Sequence, residues 1–216
     1  MKKFVGIVLP LISITILIWI EQGLEVEYVW KTVAKAMLFL GIPFLLFRKT
    51  GFPFLRFRQT DKKSMSIAIG SGLAIMSAII WAFIILFPFI DIDALLIDLA
   101  DAGITPTVFP FVALYILFGN SLLEEFYFRG QLPNLFAKSR LRLFLPSFFF
   151  AIYHIAIFLP WFSPALLALA VTGLWIGGII FQLANERSQT IFPSWTIHMF
   201  ADIGVLLVGI YIMYFY

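Results

Sequence analysis

Long apolar stretches separated by short polar segments dominate the pattern of this chain. An α-helix needs ~20 apolar residues to cross a bilayer, and seven stretches approach that length. We therefore predict an all-α fold: a polytopic transmembrane helical bundle with about seven spans that forms a single integral membrane domain over residues 1–216. The predicted spans are 4–20, 29–47, 65–89, 108–128, 143–159, 164–183 and 191–215.

Two connecting segments carry patterns of their own. Residues 51–58 (GFPFLRFR) interleave aromatic residues with arginines, which suits a short segment on the anionic inner leaflet. Residues 91–103 (DIDALLIDLADAG) have the pattern of a short amphipathic helix on the outer surface. An ordinary interfacial loop is an equal alternative for each, and an interfacial or split helix would raise the helix count to eight.

The composition agrees with a membrane protein. Apolar residues make up 62% and charged residues 12% of the chain, whereas soluble domains have ~45–50% and ~25%. The absence of cysteine excludes disulfides and thiolate chemistry. The first stretch follows two lysines, as a signal peptide would, but no small-residue cleavage site comes after it. We therefore expect a retained span.

Charged residues alternate between the two ends of the predicted spans. Of the 15 basic residues, 13 fall in the N-terminus and in every second connection. The positive-inside rule makes that side cytoplasmic, with the N-terminus inside and the C-terminus outside. We expect the membrane to be the plasma membrane. The same rule explains the net charge of +3, so we predict no nucleic-acid partner. The exceptions, Lys31 and Lys35, lie near the outer end of the second span, where they can snorkel outward.

Two carboxylates lie near the inner end of the fourth predicted span, and a guanidinium follows directly after that span. Glu125 and Arg129 are spaced i, i+4, so they share a helix face and can form a pair that offsets part of their desolvation cost. Glu124 points about 100° away and has no basic partner one turn along, where Phe128 lies. We expect a structural Glu125 and a Glu124 that is free to act as a general base. A snorkelling acid at the helix end is the alternative.

Both histidines lie in other predicted spans. Phe150 and His154 are spaced i, i+4, as are His198 and Asp202, whose carboxylate would fix the imidazole tautomer. Either histidine alone has a structural alternative, as a hydrogen-bonded core residue or a polar clamp between helices. Together with Glu124 they indicate a buried site. A rise of ~1.5 Å per residue puts all three in the inner half of the membrane, where a cavity open to the cytoplasm would supply water.

On these residues the chain resembles the CPBP family. This family of intramembrane proteases, related to the CAAX prenyl endopeptidase Rce1 and to bacteriocin-immunity (Abi) proteins, is characterised by EExxxR, FxxxH and HxxxN or HxxxD on successive membrane helices. Here the three motifs occur in that order, which places the catalytic helices within about 108–205. Residues 1–107 match only as generic membrane helices. The motifs are Glu124 to Arg129, Phe150 to His154 and His198 to Asp202.

The resemblance implies hydrolysis of peptide bonds in membrane-associated peptides or proteins within the bilayer. Glu124 and His154 would activate the attacking water, and His198 and Asp202 would orient the scissile carbonyl and support its oxyanion. The CAAX endopeptidases have asparagine at the last position, and an ionised Asp202 cannot donate to an oxyanion. The residues that would support the site are Glu125, Arg129 and Phe150.

Cofactor and function have alternatives. We predict no cofactor, because the HExxH spacing is absent; zinc held by Glu124, His154 and His198 is the alternative. A catalytically silent scaffold, immunity factor or regulator of the same family is a second function. An ion-coupled transporter is a third, since buried Glu, His and Arg also build relays. The repeated halves typical of transporters are not visible in the sequence.

Overall fold

All seven predicted spans are helices. A computed structural model describes residues 2–24, 26–136 and 139–216. Within these residues, seven helices are long and apolar enough to cross a membrane, and no β-strand is present. The predicted all-α transmembrane bundle is therefore confirmed, and the chain is an integral membrane protein. Glu25 and Lys138, two of the charged residues behind the topology prediction, lie outside the described residues.

A shorter α-helix, α4, lies between the third and fourth spans. It confirms the amphipathic helix predicted over 91–103. The fourth span continues several residues beyond its predicted end at 128, because protein surrounds the polar residues that follow. The helices are α1 (Lys2–Gly23), α2 (Tyr28–Phe47), α3 (Lys62–Phe89), α4 (Ile92–Asp101), α5 (Phe109–Leu135), α6 (Leu141–Phe158), α7 (Pro164–Asn185) and α8 (Phe192–Phe215).

Aspartate side chains cap the N-termini of α3 and α4. Asp61 accepts hydrogen bonds from the hydroxyl of Ser64 at 2.7 Å and from its backbone N–H at 3.0 Å. Both hydrogen bonds lower the pKa of the Asp61 carboxyl, and the bond from the Ser64 hydroxyl has the larger effect. Asp91 accepts from the backbone N–H of Ala94 at 3.0 Å. Both caps satisfy N–H groups that the first helical turn leaves unpaired.

The connections separate into two groups at opposite ends of the bundle. The basic end comprises the connections after α2, α5 and α7, and the acidic end comprises the connections after α1, α3, α4 and α6. Contacts within each group agree with the alternating topology predicted from charge. At the basic end, Arg187 pairs with Asp61 (3.2 Å), Thr60 with Thr190 (2.8 Å) and Arg142 with Glu186. At the acidic end, Trp161 donates to Asp98 (2.8 Å) and Tyr28 N–H to Ala102 O (3.1 Å).

The segment 51–58 packs on the protein through its aromatic residues, and one of them is buried. Phe54 is buried, packs on Phe126 with ring centroids 5.5 Å apart, and covers Gly130 of α5. Arg56 and Arg58 are exposed, as a segment on the leaflet requires. The surface prediction is therefore wrong for Phe54, because Gly130 has no side chain and leaves room for the ring.

Helix α5 forms the centre of the bundle. Every residue from 123 to 133 is buried, so this part of the helix contacts protein on all sides. Aromatic residues of neighbouring helices surround it. Phe39 of α2 stacks on Tyr127 with ring centroids 4.5 Å apart, and Tyr153 of α6 lies edge-on to Phe39 at 5.3 Å. The polar side chains of α5 therefore face other helices rather than lipid.

Candidate active site

The two glutamates and the arginine of α5 lie in the protein interior. Glu124 is 1% exposed, Glu125 0% and Arg129 4%. The alternative of a snorkelling acid at a helix end is therefore wrong. The helix is π-helical from Glu125 to Gln131, directly after Glu124. Such π-helical turns are frequent at functional sites.

Both imidazoles converge on one oxygen of Glu124. His154 Nε2 lies 4.0 Å and His198 Nε2 lies 3.7 Å from Glu124 Oε2. That oxygen is buried and makes no hydrogen bond to the described residues. The structure therefore brings together an acid and two imidazoles from α5, α6 and α8.

The hydrogen bond of His154 fixes which ring nitrogen faces the acid. Its Nδ1 lies 2.8 Å from the carbonyl oxygen of Phe150, one turn earlier in α6. Because a carbonyl only accepts, Nδ1 must donate, and the neutral imidazole then carries its lone pair on Nε2. The Phe150 ring packs edge-on against the imidazole, with centroids 4.6 Å apart. His154 therefore presents a basic nitrogen to Glu124.

His198 lies between three carboxylates. Its Nδ1 is 2.9 Å from Glu125 Oε1, and its Nε2 is 3.7 Å from Asp202 Oδ1. The hydrogen-bonded carboxylate is thus Glu125 on another helix, and not Asp202 as the i, i+4 spacing suggested. Asp202 Oδ2 is buried without a hydrogen bond to the described residues. Glu125 therefore sets the orientation of the His198 ring, and Asp202 faces the nitrogen that is left.

Arg129 supports the site through contacts with Glu125 and with two phenylalanine rings. Its Nη1 lies 3.3 Å from Glu125 Oε1, the pair that the sequence predicted. Its guanidinium lies over the ring of Phe150 at 3.8 Å and near that of Phe181 at 4.9 Å. These cation–π contacts and the ion pair stabilise the guanidinium charge inside the bundle, where lipid does not solvate it.

Lys35 of α2 and Asn120 of α5 contact the acid of the site, and the sequence predicted neither contact. The sequence predicts that Lys35 snorkels outward, but it is 8% exposed and its Nζ lies 2.5 Å from Glu124 Oε1. It also donates to Asn120 Oδ1, and Asn120 Nδ2 donates to Glu124 Oε1 at 3.0 Å. Glu124 therefore has a basic partner, contrary to prediction. Lys31, one turn earlier, pairs with Glu21 at 2.7 Å. Spacing along α5 carries no signal for a partner on another helix.

A cavity of about 120 Å³ opens at the basic end. Its lining includes Arg129, Gln182 and Asn185, and it stops short of Glu124 and the two histidines. This cavity therefore reaches Arg129, which supports the site. The sequence predicts instead a cavity through which cytoplasmic water reaches Glu124, and the cavity at the basic end does not extend that far.

The fit of the site to a metal ion is poor. Among residues 2–24, 26–136 and 139–216, no three histidine or acidic side chains form a group arranged to hold a metal. The Lys35 ammonium, 2.5 Å from Glu124, repels a dication at that carboxylate. The zinc alternative, with Glu124, His154 and His198 as ligands, therefore meets a positive charge that is already in place.

Comparison with known families gives a match over the part of the chain that holds the three motifs. Residues 106–204 match the family described as type II CAAX prenyl endopeptidase Rce1-like. This part of the chain is similar to the Rce1-like family. The match confirms the resemblance drawn from the motifs. The Rce1-like region begins after α4, so Lys35 lies outside it. Comparisons with curated proteins and with solved structures gave no significant match.

Proposed function

We propose that the protein is an intramembrane endopeptidase of the CAAX type that hydrolyses membrane-associated peptides or proteins without a metal. One observation carries the proposal: two hydrogen-bond acceptors, Glu124 Oε2 and His154 Nε2, face each other 4.0 Å apart inside the bundle. A water that donates to two acceptors at ~2.8 Å spans roughly 4.4 Å between them. The pair therefore has the separation that suits a water molecule to be activated.

In this mechanism the water donates one hydrogen to each acceptor and turns a lone pair toward the scissile carbonyl. Glu124 takes a proton as the water oxygen bonds to the carbonyl carbon, and His154 holds the orientation of the water. Collapse of the tetrahedral intermediate breaks the C–N bond, and the proton passes to the leaving amine. No net proton is gained or lost by the protein.

The oxyanion needs a donor that Asp202 cannot supply as a carboxylate. We assign that role to His198 Nε2, because its Nδ1 is held by Glu125 at 2.9 Å and its Nε2 points toward the acid. Asp202 Oδ1, 3.7 Å from Nε2, then favours the protonated ring that donates. Asp202 therefore acts through His198.

The first prediction tests water activation. Glu124→Gln and His154→Ala should each lower peptide cleavage by at least about 100-fold, because each removes one of the two acceptors for the water. The assay uses purified protein in liposomes with prenylated and unprenylated membrane peptides, and mass spectrometry of the new termini. Thermal unfolding of each variant verifies that it is folded.

The matched control is Glu186→Gln, the same change in a glutamate at the basic end that pairs with Arg142. It should cleave like the wild type. Cleavage by Glu124→Gln at the wild-type rate would exclude the mechanism, and a folded wild type that cleaves nothing would favour the silent scaffold. Activity should persist in EDTA. Loss of activity that Zn²⁺ restores would instead assign Glu124, His154 and His198 as metal ligands.

A further inference from the structure

A lysine from outside the Rce1-like region holds the acid of the site. Lys35 Nζ lies 2.5 Å from Glu124 Oε1, and the side chain is almost fully buried. The Tyr153 ring lies under the ammonium at 4.6 Å, and Asn120 bonds both the lysine and the glutamate. This is a built contact between α2, α5 and α6.

Lys35 is the positive charge that balances Glu124. Glu125 already has Arg129 at 3.3 Å and His198 at 2.9 Å, so those groups balance the second carboxylate. Lys35 is in direct contact with the other carboxylate, Glu124. A carboxylate taken into a low-dielectric interior without such a cation takes up a proton instead of remaining charged. A protonated Glu124 could not accept a proton from water.

The two oxygens of Glu124 are used differently. Oε1 accepts from Lys35 and from Asn120, whereas Oε2 has no hydrogen-bond donor among the described residues and faces both imidazoles. Fixing one oxygen sets the rotation of the carboxylate, and so sets where the other oxygen points.

We propose that Lys35 is a positioning residue of the active site: with Asn120 it holds Glu124 as a carboxylate by Oε1, and so presents Oε2 to the attacking water. The inference rests on the proposed function. It predicts a role in turnover for a helix that the family motifs do not include.

The test compares Lys35→Met, which removes charge and donor, with Lys35→Gln, which keeps a donor. Both should lower kcat by at least about 100-fold with KM within about threefold of wild type, because Lys35 is buried against Glu124 and water activation needs that carboxylate. Lys31→Met is the matched control on the same helix and should keep the wild-type kcat. If the methionine variant does not fold, the glutamine variant decides.

Restoring the charge chemically separates positioning from packing. The chain contains no cysteine, so Lys35→Cys carries a single thiol. Aminoethyl methanethiosulfonate adds an ammonium to that thiol, and methyl methanethiosulfonate adds a neutral group. The aminoethyl adduct should recover at least about tenfold in kcat over the methyl adduct, and a reducing agent should reverse the gain.

The outcomes distinguish this inference from the proposed function. Wild-type kcat in Lys35→Gln, or equal recovery by the two adducts, overturns the role of Lys35 while an inactive Glu124→Gln still supports hydrolysis. A wild-type protein that cleaves nothing overturns both. A loss of kcat in both lysine variants with selective recovery by the aminoethyl adduct supports the positioning role.

Discussion

Adjacent glutamates on α5 reach different partners because successive residues of a helix point about 100° apart. Glu125 faces Arg129 and His198, and Glu124 faces Lys35 and His154. The contact of Glu125 with Arg129, one turn apart on one helix, followed from the sequence, since helix geometry fixes it. The contacts of Lys35 and of Glu125 with His198 did not, because they depend on which helices pack together, and spacing along one helix does not encode that.

The stability of the protein should depend on the buried pair of Glu125 and Arg129. Arg129→Ala should lower the free energy of unfolding by about 3–5 kcal/mol, because it leaves Glu125 buried without its cation and removes the contact with the Phe150 ring. Thermal unfolding in detergent would show this as a fall in Tm of at least about 6 °C.

The control is Arg140→Ala, an exposed arginine at the basic end, which should leave Tm within about 1 °C of wild type. Replacing both partners, as Glu125→Gln with Arg129→Met, should recover much of the loss because no buried charge is then unpaired. An unchanged Tm in Arg129→Ala would contradict a buried pair.

Helix α5 shows what an apolar pattern can miss about an element. The predicted span ended at 128, where Arg129, Gly130 and Gln131 resemble the exit from a membrane. The helix instead continues to Leu135, because neighbouring helices and Phe54 surround these residues and replace lipid. Hydropathy measures compatibility with lipid, so it does not detect polar residues that protein covers.

The covering of α5 depends on a glycine. A Cβ on Gly130 would lie 2.3 Å from the Phe54 ring, which fills that space. Gly130→Ala should therefore displace Phe54 and lower stability by about 1–3 kcal/mol, although alanine is the better helix former by ~1 kcal/mol. The measurement is thermal unfolding of the purified variant.

Gly173→Ala on α7 is the matched control, because nothing lies within 4 Å of the Cβ that it adds. Its Tm should equal or exceed that of the wild type. If Gly130→Ala behaves in the same way, Phe54 does not pack against α5 as described.

Across the whole molecule, charge predicted how the connections divide between the two ends. The helix contacts that build the site were not predictable in the same way, because the spans are apolar on most faces and show no single packing side. The sequence therefore indicated the number of spans and the alternation of their ends, whereas the place of α2 beside the motif helices required the structure.

The positive-inside rule predicts the orientation in the membrane, and this prediction can be tested on single-cysteine variants. Thr105→Cys is exposed at the acidic end and Gln59→Cys at the basic end. A membrane-impermeant maleimide added to intact cells should label Thr105→Cys at least about tenfold faster than Gln59→Cys, with equal labelling after lysis. The cysteine-free parent chain gives the background. The reverse preference would place the N-terminus outside.

The contact between Lys35 and Glu124 limits how this chain can be recombined with others. A chimera that keeps α5 to α8 and takes its first helices from a relative retains each motif residue. Unless the donor sequence supplies a cation facing Glu124, however, that hybrid exposes an uncompensated carboxylate to the low dielectric of the bundle. Grafts should therefore exchange α2 and α5 together, as one electrostatic unit.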